Sequence, residues 1–190
     1  MNTEIEMKAH VQDKEALRLL LSEKAEYLGY FEKEDTYWYP QPGGSQALMP
    51  YGIRIRKEKR SLPDGSEGSA IYATFKRKEV IDGIELNDER EFKVSPASEF
   101  EYFLNLAGIH SGKHKQKRGW AFSKRDITAE LVEVEGLGWF IELEIITDDK
   151  QPDTVSERRK QLLDFFDELG IERTAIESRF YSEILKTSGV

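Results

Sequence analysis

Cysteine is absent from the 190 residues, which excludes disulfides and thiolate metal sites alike. Long apolar runs are missing too. None approaches the roughly 20 residues that a membrane-spanning helix needs, and no membrane association is expected. There is no basic surplus either. Lys and Arg number 28 against 36 Asp and Glu, a formal net charge of −8. That balance argues against non-specific nucleic-acid binding across the surface, while leaving room for a local basic pocket. The N-terminus carries acids instead of a basic region followed by an apolar stretch, so no secretory signal is read there. A soluble cytoplasmic protein is the expectation. Internal repeats and low-complexity segments are lacking as well. What is present suits a folded globule: 38% hydrophobic and 11% aromatic residues, with a charged fraction of 34% that exceeds the usual quarter. One domain over 1–190 is expected.

Alternation and β-branched or aromatic content predict eight strands, at 3–11, 34–39, 52–58, 70–78, 84–94, 113–123, 127–134 and 139–147. Turn chemistry separates them: Pro40 to Ser45 and Pro63 to Gly68 read as loops, Asp82-Gly83 as a hairpin turn, and Gly136-Leu137-Gly138 as a break. Four helices are predicted between and after them. Asp13 caps the first, whose stripe of Ala16, Leu17, Leu20, Leu21 and Leu28 ends at Gly29. Ser98 to Ala107 stops at Gly108, and Thr154 to Leu169 at Gly170. Ala175 to Leu185 follows on the weaker pattern Ile176, Phe180, Ile184.

The strands alternate charge with apolar residues. Glu4, Glu6 and Lys8 share one face of the first strand, with Ile5 and Met7 opposite. Arg54 and Arg56 do the same against Ile53 and Ile55, and Lys76 and Lys78 share parity with Thr74. Glu85, Asn87, Glu89, Glu91 and Lys93 share a face, as do Lys113, Lys115 and Lys117, and as do Glu142 and Glu144. An amphipathic sheet with its charged side in water would explain any one of these strands. The set is segregated, however: acids on the first, fifth and eighth strands, bases on the third, fourth and sixth. Amphipathic helices also need an apolar sheet surface to cover. If they pack outside a curled sheet, the charges point inward, into a closed eight-stranded barrel with room for a small ligand. Unpaired charges there would be very costly. Either bases and acids neutralise one another, or the bases hold a polyanion and the acids a divalent cation that travels with it, as Mg²⁺ does with phosphate chains.

Glu4-Ile5-Glu6-Met7-Lys8 resembles the ExExK opening of the CYTH proteins, or triphosphate tunnel metalloenzymes, which include class IV adenylyl cyclases and thiamine and inorganic triphosphatases. Its companions appear in order. Asp35-Thr36-Tyr37-Trp38 resembles the family's Asp-Thr-Tyr-aromatic strand, Ile53-Arg54-Ile55-Arg56 its Leu-Arg-Ile-Arg element, and Thr74-Phe75-Lys76 its Thr-aromatic-Lys. Glu89-Arg90-Glu91 resembles the central acidic strand, Val134 to Glu144 the VegLGxFxExE segment, and Ser178 to Leu185, loosely, the closing Ser-Tyr-x-Glu-Leu-Leu. The resemblance covers nearly the whole chain. It implies an α+β fold: a closed eight-stranded antiparallel β-barrel, the triphosphate tunnel, with amphipathic helices packed outside.

The resemblance further implies roles. Lys8, Arg54, Arg56, Lys76, Lys78 and a base within Lys115 to Arg118 would grip a triphosphate. The sixth strand's register stays open among Lys115, Lys117 and Arg118, with Lys115 and Lys117 favoured because Gly119 and Ala121 continue their side. Glu4, Glu6, Glu89, Glu91, Glu142 and Glu144 would surround Mg²⁺ or Mn²⁺. Lys8, Lys76 and Glu142 are the candidates for catalysis. One position departs from the family pattern: Val132 stands where an acid is common, and Glu130, on the same face, is the substitute at hand.

The implied chemistry is phosphoryl or nucleotidyl transfer on a small-molecule triphosphate, by positioning and charge neutralisation. Water attacking the terminal phosphorus makes a hydrolase; a ribose 3′-hydroxyl attacking the α-phosphorus of ATP makes an adenylyl cyclase. Tyr37, Trp38, Tyr39 and Trp120 are the aromatics that could stack a base, though each reads equally as a strand or core residue. His10, His110 and His114 show no metal spacing, and His10 shares parity with Lys8. The rival readings are a barrel that binds polyphosphate without cleaving it and an RNA 5′-triphosphatase. A nucleic-acid partner is not expected from the charge, and self-association into a homodimer stays open.

Overall fold

The computed structural model describes residues 3–40, 52–81, 84–149 and 151–187, except the side chains of 76–81, 84–88 and 186–187. The strands are β1 (Thr3–His10), β2 (Glu26–Pro40), β3 (Gly52–Ser61), β4 (Glu67–Ile81), β5 (Ile84–Lys93), β6 (Ile109–Lys124), β7 (Ile127–Val134), β8 (Gly138–Thr147) and β9 (Ile176–Glu177). The helices are α1 (Lys14–Lys24), α2 (Ala97–Leu106), α3 (Pro152–Glu168) and α4 (Tyr181–Thr187). One antiparallel sheet runs in the order β5-β4-β3-β2-β6-β7-β8-β1-β9, with β5 also pairing β1. Strands from opposite ends of that order meet, so the sheet curls.

The expected closed eight-stranded barrel is corrected in two respects. Among the described residues there are nine strands, and the sheet they form is not closed. β5 pairs β1 over Thr3 to Glu6 and leaves the rest of that edge to β9, which pairs it at Lys8 and Ala9.

Helices α1, α2 and α3 do pack outside. Ile5, Met7 and Ala9 of β1, Ala129 and Leu131 of β7, and Ile141, Leu143 and Ile145 of β8 form one core with Leu17 and Leu21 of α1 and Leu162, Phe165, Phe166 and Leu169 of α3. With period 2 in the strands, burying these residues turns Glu4, Glu6, Lys8, Glu130, Glu142 and Glu144 to the inner face. Asp13 caps α1 as expected, accepting bonds from the backbone N–H groups of Glu15 and Ala16.

Two segments depart from the sequence-based expectation. The helix predicted to reach Leu28 ends at Lys24, and β2 begins at Glu26. Phe31, Lys33 and Asp35 then alternate inward, and a bulge at Tyr27–Gly29 adjusts the register to β6. Gly29 sits at φ +129°, where a Cβ would lie 2.4 Å from the Ser61 carbonyl oxygen, so no side chain fits. The predicted fourth helix is split into a 3-10 turn at Arg173–Ala175, the short β9, and α4. Ile176 goes to β9 against Ala9, while the Phe180 backbone N–H donates to Glu183 at 2.7 Å and starts α4. The loop over 41–45 and the Asp82-Gly83 turn lie outside the described residues.

Candidate functional site

The inner face is built by β2, β3, β6, β7, β8 and β1, with α4 closing one end. At that end Phe31, Ala121, Val132, Val134 and Phe140 turn inward and are covered by Tyr181 and Ile184. Beyond this apolar floor the inner face is charged.

Three buried ion pairs follow. Lys33, 6% exposed, donates to both carboxylate oxygens of Glu130, at 2.6 and 2.8 Å. Burial pulls the Lys33 ammonium below its ordinary pKa, against the opposing pull of Glu130. Asp35, 2% exposed, accepts a forked pair of bonds from Arg56, at 2.7 and 3.0 Å. Burial alone would raise the Asp35 carboxyl, but Arg56 outweighs it and holds the group far below the usual carboxylate range. Lys117 donates to both oxygens of Glu142, at 2.5 and 2.8 Å. Burial works against both charges of this pair, and their mutual attraction prevails, so Lys117 is raised and Glu142 lowered. Bidentate geometry is what makes such buried pairs tolerable.

Lys115 lies 3.7 Å from Asp35, and burial lowers its pKa. Beside it, Tyr37 is depressed although burial would raise it, because the Lys115 charge favours the phenolate. Towards β4 and β5, Arg54 donates to Thr74 Oγ1 at 3.1 Å, Glu89 at 3.2 Å and Glu91 at 3.4 Å. Glu6 and Glu144 stand directly opposite each other across β1 and β8, and Lys8 opposite Glu142.

Most of the expected site residues therefore share this face. Lys8, Arg54, Arg56, Lys115, Lys117, Glu4, Glu6, Glu89, Glu91, Glu142 and Glu144 all belong to it by strand parity. Lys76 and Lys78 stand opposite Glu89 and Asn87 in the β4–β5 register, and their side chains lie outside the described set. Arg118 is the exception. Its side chain is 63% exposed and pairs with Glu133, on the face opposite to Lys117, which resolves the register in favour of Lys115 and Lys117. Two stacking candidates also leave: Trp38 is buried under α2 with Ile53, Ile55 and Leu104, and Trp120 stacks on Trp139 at 5.5 Å outside the sheet. His10 is exposed, its ring 4.5 Å from Phe140 and its Nε2 3.4 Å from Glu177.

Sequence reasoning passes over Lys33, which falls in the gap between the helix ended at Gly29 and the strand expected over 34–39. The alternation Phe31, Lys33, Asp35, Tyr37 was the signal for it. Asp35 was quoted only as a motif residue, and Tyr181 lay in the loosely matching terminal segment. Glu130 does stand inward, as the pairing partner of Lys33.

The acids fit a hard divalent cation in chemistry, since Mg²⁺ and Mn²⁺ prefer carboxylate oxygens. They do so unevenly. Glu142 is committed to Lys117, and Glu89 and Glu91 to Arg54. The facing Glu6 and Glu144 are like charges at one register position, an arrangement that a cation relieves. Among the described residues no three His, Asp or Glu are grouped closely enough to hold a metal by themselves. No helix there is long and apolar enough to cross a membrane.

Solved structures share this fold. The PH1819 protein of Pyrococcus horikoshii OT3 is 25% identical with a TM-score of 0.78, covering 97% of this chain and 99% of its own. A protein from Vibrio parahaemolyticus named as a candidate adenylate cyclase is 18% identical, TM-score 0.78, covering 96% and 97%. HpAC1 from Hippeastrum, reported to have a dominant triphosphatase activity, is 18% identical, TM-score 0.67, covering 99% and 96%. No curated protein sequence matches. The profile of the CYTH domain matches residues 2–181, and the chain belongs to the CYTH family.

Proposed function

We propose that this protein is a divalent-metal-dependent enzyme that hydrolyses a small-molecule triphosphate bound along the charged inner face. The observation that carries the reading is the convergence of cations on the inner face from four strands, Lys8 of β1, Lys33 of β2, Arg54 and Arg56 of β3, and Lys115 and Lys117 of β6, with carboxylates at hand on β1 and β8. Facing like charges such as Glu6 and Glu144 are an arrangement that a divalent cation would relieve.

In this reading Lys8, Arg54, Arg56, Lys76, Lys115 and Lys117 would hold the non-bridging phosphate oxygens, and Asp35, bonded to Nε and Nη2 of Arg56, fixes the plane of that guanidinium. Glu4, Glu6 and Glu144 would hold Mg²⁺ or Mn²⁺, and Glu142 contributes through Lys117. The bound cation supplies charge neutralisation to the phosphoryl group under attack. Water forms a bond to the terminal phosphorus as the bond to the bridging oxygen breaks, the diphosphate leaves with the electron pair, and the water's proton passes to a phosphate oxygen or to solvent. The cations around it stabilise the charge that spreads over the phosphoryl oxygens.

Adenylyl cyclisation is the second reading. Tyr37, on the inner face beside Lys115, is what favours it, as a surface against which adenine could stack. Hydrolysis comes first because Trp38 and Trp120 lie on the other face, leaving little aromatic surface for a base. The reported activity of HpAC1 is consistent with that order.

Incubation with Mg²⁺ or Mn²⁺ and inorganic triphosphate, thiamine triphosphate or ATP, followed by separation of phosphate, pyrophosphate and cyclic AMP, tests both. Phosphate release supports hydrolysis, and cyclic AMP with pyrophosphate supports the cyclase. Tight triphosphate binding with no turnover of any substrate would make the protein a non-catalytic binder.

A further inference from the structure

Tyr181 is the one polar member of the apolar floor; its companions Phe31, Ala121, Val132, Val134, Phe140 and Ile184 offer no hydrogen bond. A phenylalanine would fill the same space, and burying a hydroxyl costs stability unless it is bonded. It is bonded: the Tyr181 hydroxyl donates to Glu142 Oε1 at 2.5 Å. The same Oε1 accepts from Lys117 at 2.5 Å. The ring, meanwhile, is approached by three ammonium groups, from Lys117 at 4.7 Å, Lys8 at 5.4 Å and Lys115 at 5.5 Å from its centroid.

Like charges gathered on one spot repel. The Glu142 carboxylate already neutralises Lys117, and a further carboxylate among them would cancel the charge that a phosphate needs. An aromatic ring attracts cations through its quadrupole and stays neutral. We propose that Tyr181 is a positioning residue: its hydroxyl sets Glu142 and through it Lys117, and its ring gathers Lys8, Lys115 and Lys117 around one end of the phosphate chain. The inference rests on the triphosphate reading of the site and extends it to a residue on the C-terminal helix.

The chain holds this tyrosine on a short tether. Ile176 and Glu177 pair with Ala9 and Lys8 as β9, only three residues before Tyr181. Glu177 is anchored in turn, bonded by Arg179 Nη2 at 2.6 Å and facing His10 Nε2 at 3.4 Å. The edge Phe140–Tyr181 ring contact, at 4.9 Å and 81°, fixes the remaining side. Lys8 and Glu177 are thus neighbours on one ladder, so the strand bearing a phosphate-gripping lysine also places the ring beneath it.

Two variants test the role. Tyr181→Phe keeps the ring and the packing and removes the hydroxyl. Tyr181→Leu keeps an apolar floor and removes the ring. With inorganic triphosphate and Mg²⁺, Tyr181→Phe is expected to lower kcat at least tenfold with KM within threefold, and to leave the melting temperature close to that of the parent. Tyr181→Leu is expected to weaken metal-free triphosphate binding at least tenfold by calorimetry. A plain packing role would move the melting temperature and neither of these, and that pattern would overturn the proposal. The parent protein separates the two levels of inference. If it fails to turn over any triphosphate, the hydrolase reading fails, while the Tyr181→Leu binding comparison still decides the role of the ring.

Discussion

The two faces of β1, β7 and β8 are made by the same strands and differ in almost everything else. The outer face is apolar and covered by α1 and α3, with Ile5, Leu131, Ile141, Leu143, Ile145 and Phe166 wholly buried. The inner face buries Lys8 and Glu142 and, on the neighbouring β2 and β6, Lys33, Asp35 and Lys117. Burying apolar surface stabilises by about 25 cal/mol per Å². Burying an ion pair roughly breaks even, because desolvation offsets attraction. The outer face therefore holds the sheet in shape, and the inner face is carried by it for what its charges can grip.

That contrast can be broken one residue at a time. The largest effect expected is Glu144→Gln, which keeps shape and removes charge: turnover should fall roughly a thousandfold, with thermal unfolding little changed. A mutant that stays active would show that the metal is held elsewhere. Phe166→Ala, on the outer side, should reverse the balance. A loss of about 3–5 kcal/mol is expected from a cavity at a fully buried ring, read by urea unfolding, with activity per folded molecule retained.

Asp35→Asn probes the border between the two, since it leaves Arg56 buried without its countercharge. A loss of about 3–5 kcal/mol is expected, along with weaker triphosphate binding. Its pH dependence follows from the depressed Asp35 carboxyl. A group whose folded pKa lies below its unfolded value of about 3.9 contributes fully above that value. Its contribution is lost as the pH falls further. The parent protein should lose stability more steeply than Asp35→Asn below about pH 4, and equal slopes would remove Asp35 from the account. Smallest of all should be Arg118→Ala. This exposed residue pairs with Glu133 at the surface, so a change within about 0.5 kcal/mol and unaltered turnover are expected. A large loss of activity would put the sixth strand in the other register.

Much of this was legible in the chain itself. The charged parity of Glu4, Glu6 and Lys8, of Arg54 and Arg56, and of Glu142 and Glu144 carried over to the inner face, because a strand's period of 2 is rigid and the apolar partners have only one place to go. The helix starts and stops at Asp13, Gly108 and Gly170 were readable from capping chemistry to within two residues. Lys33 was not. Leu28 continues the periodicity of α1, and only the pairing of residues 26–40 with β6 and β3 overrides it. The end of the chain was misread for the same reason: Ile176 fits a helical stripe, but an edge of β1 left open by β5 offers it a ladder instead.

By itself, then, the sequence determined which side chains share a face and which class of site they could build, since local periodicity and charge order need no partner. The tertiary structure decided the pairings: Lys33 with Glu130, Arg56 with Asp35, Lys117 with Glu142 and Tyr181. Those depend on which strands become neighbours and in what register. Contacts between residues 39 positions apart, as Glu142 and Tyr181 are, are set by sheet order and by where α4 docks. No local pattern encodes them.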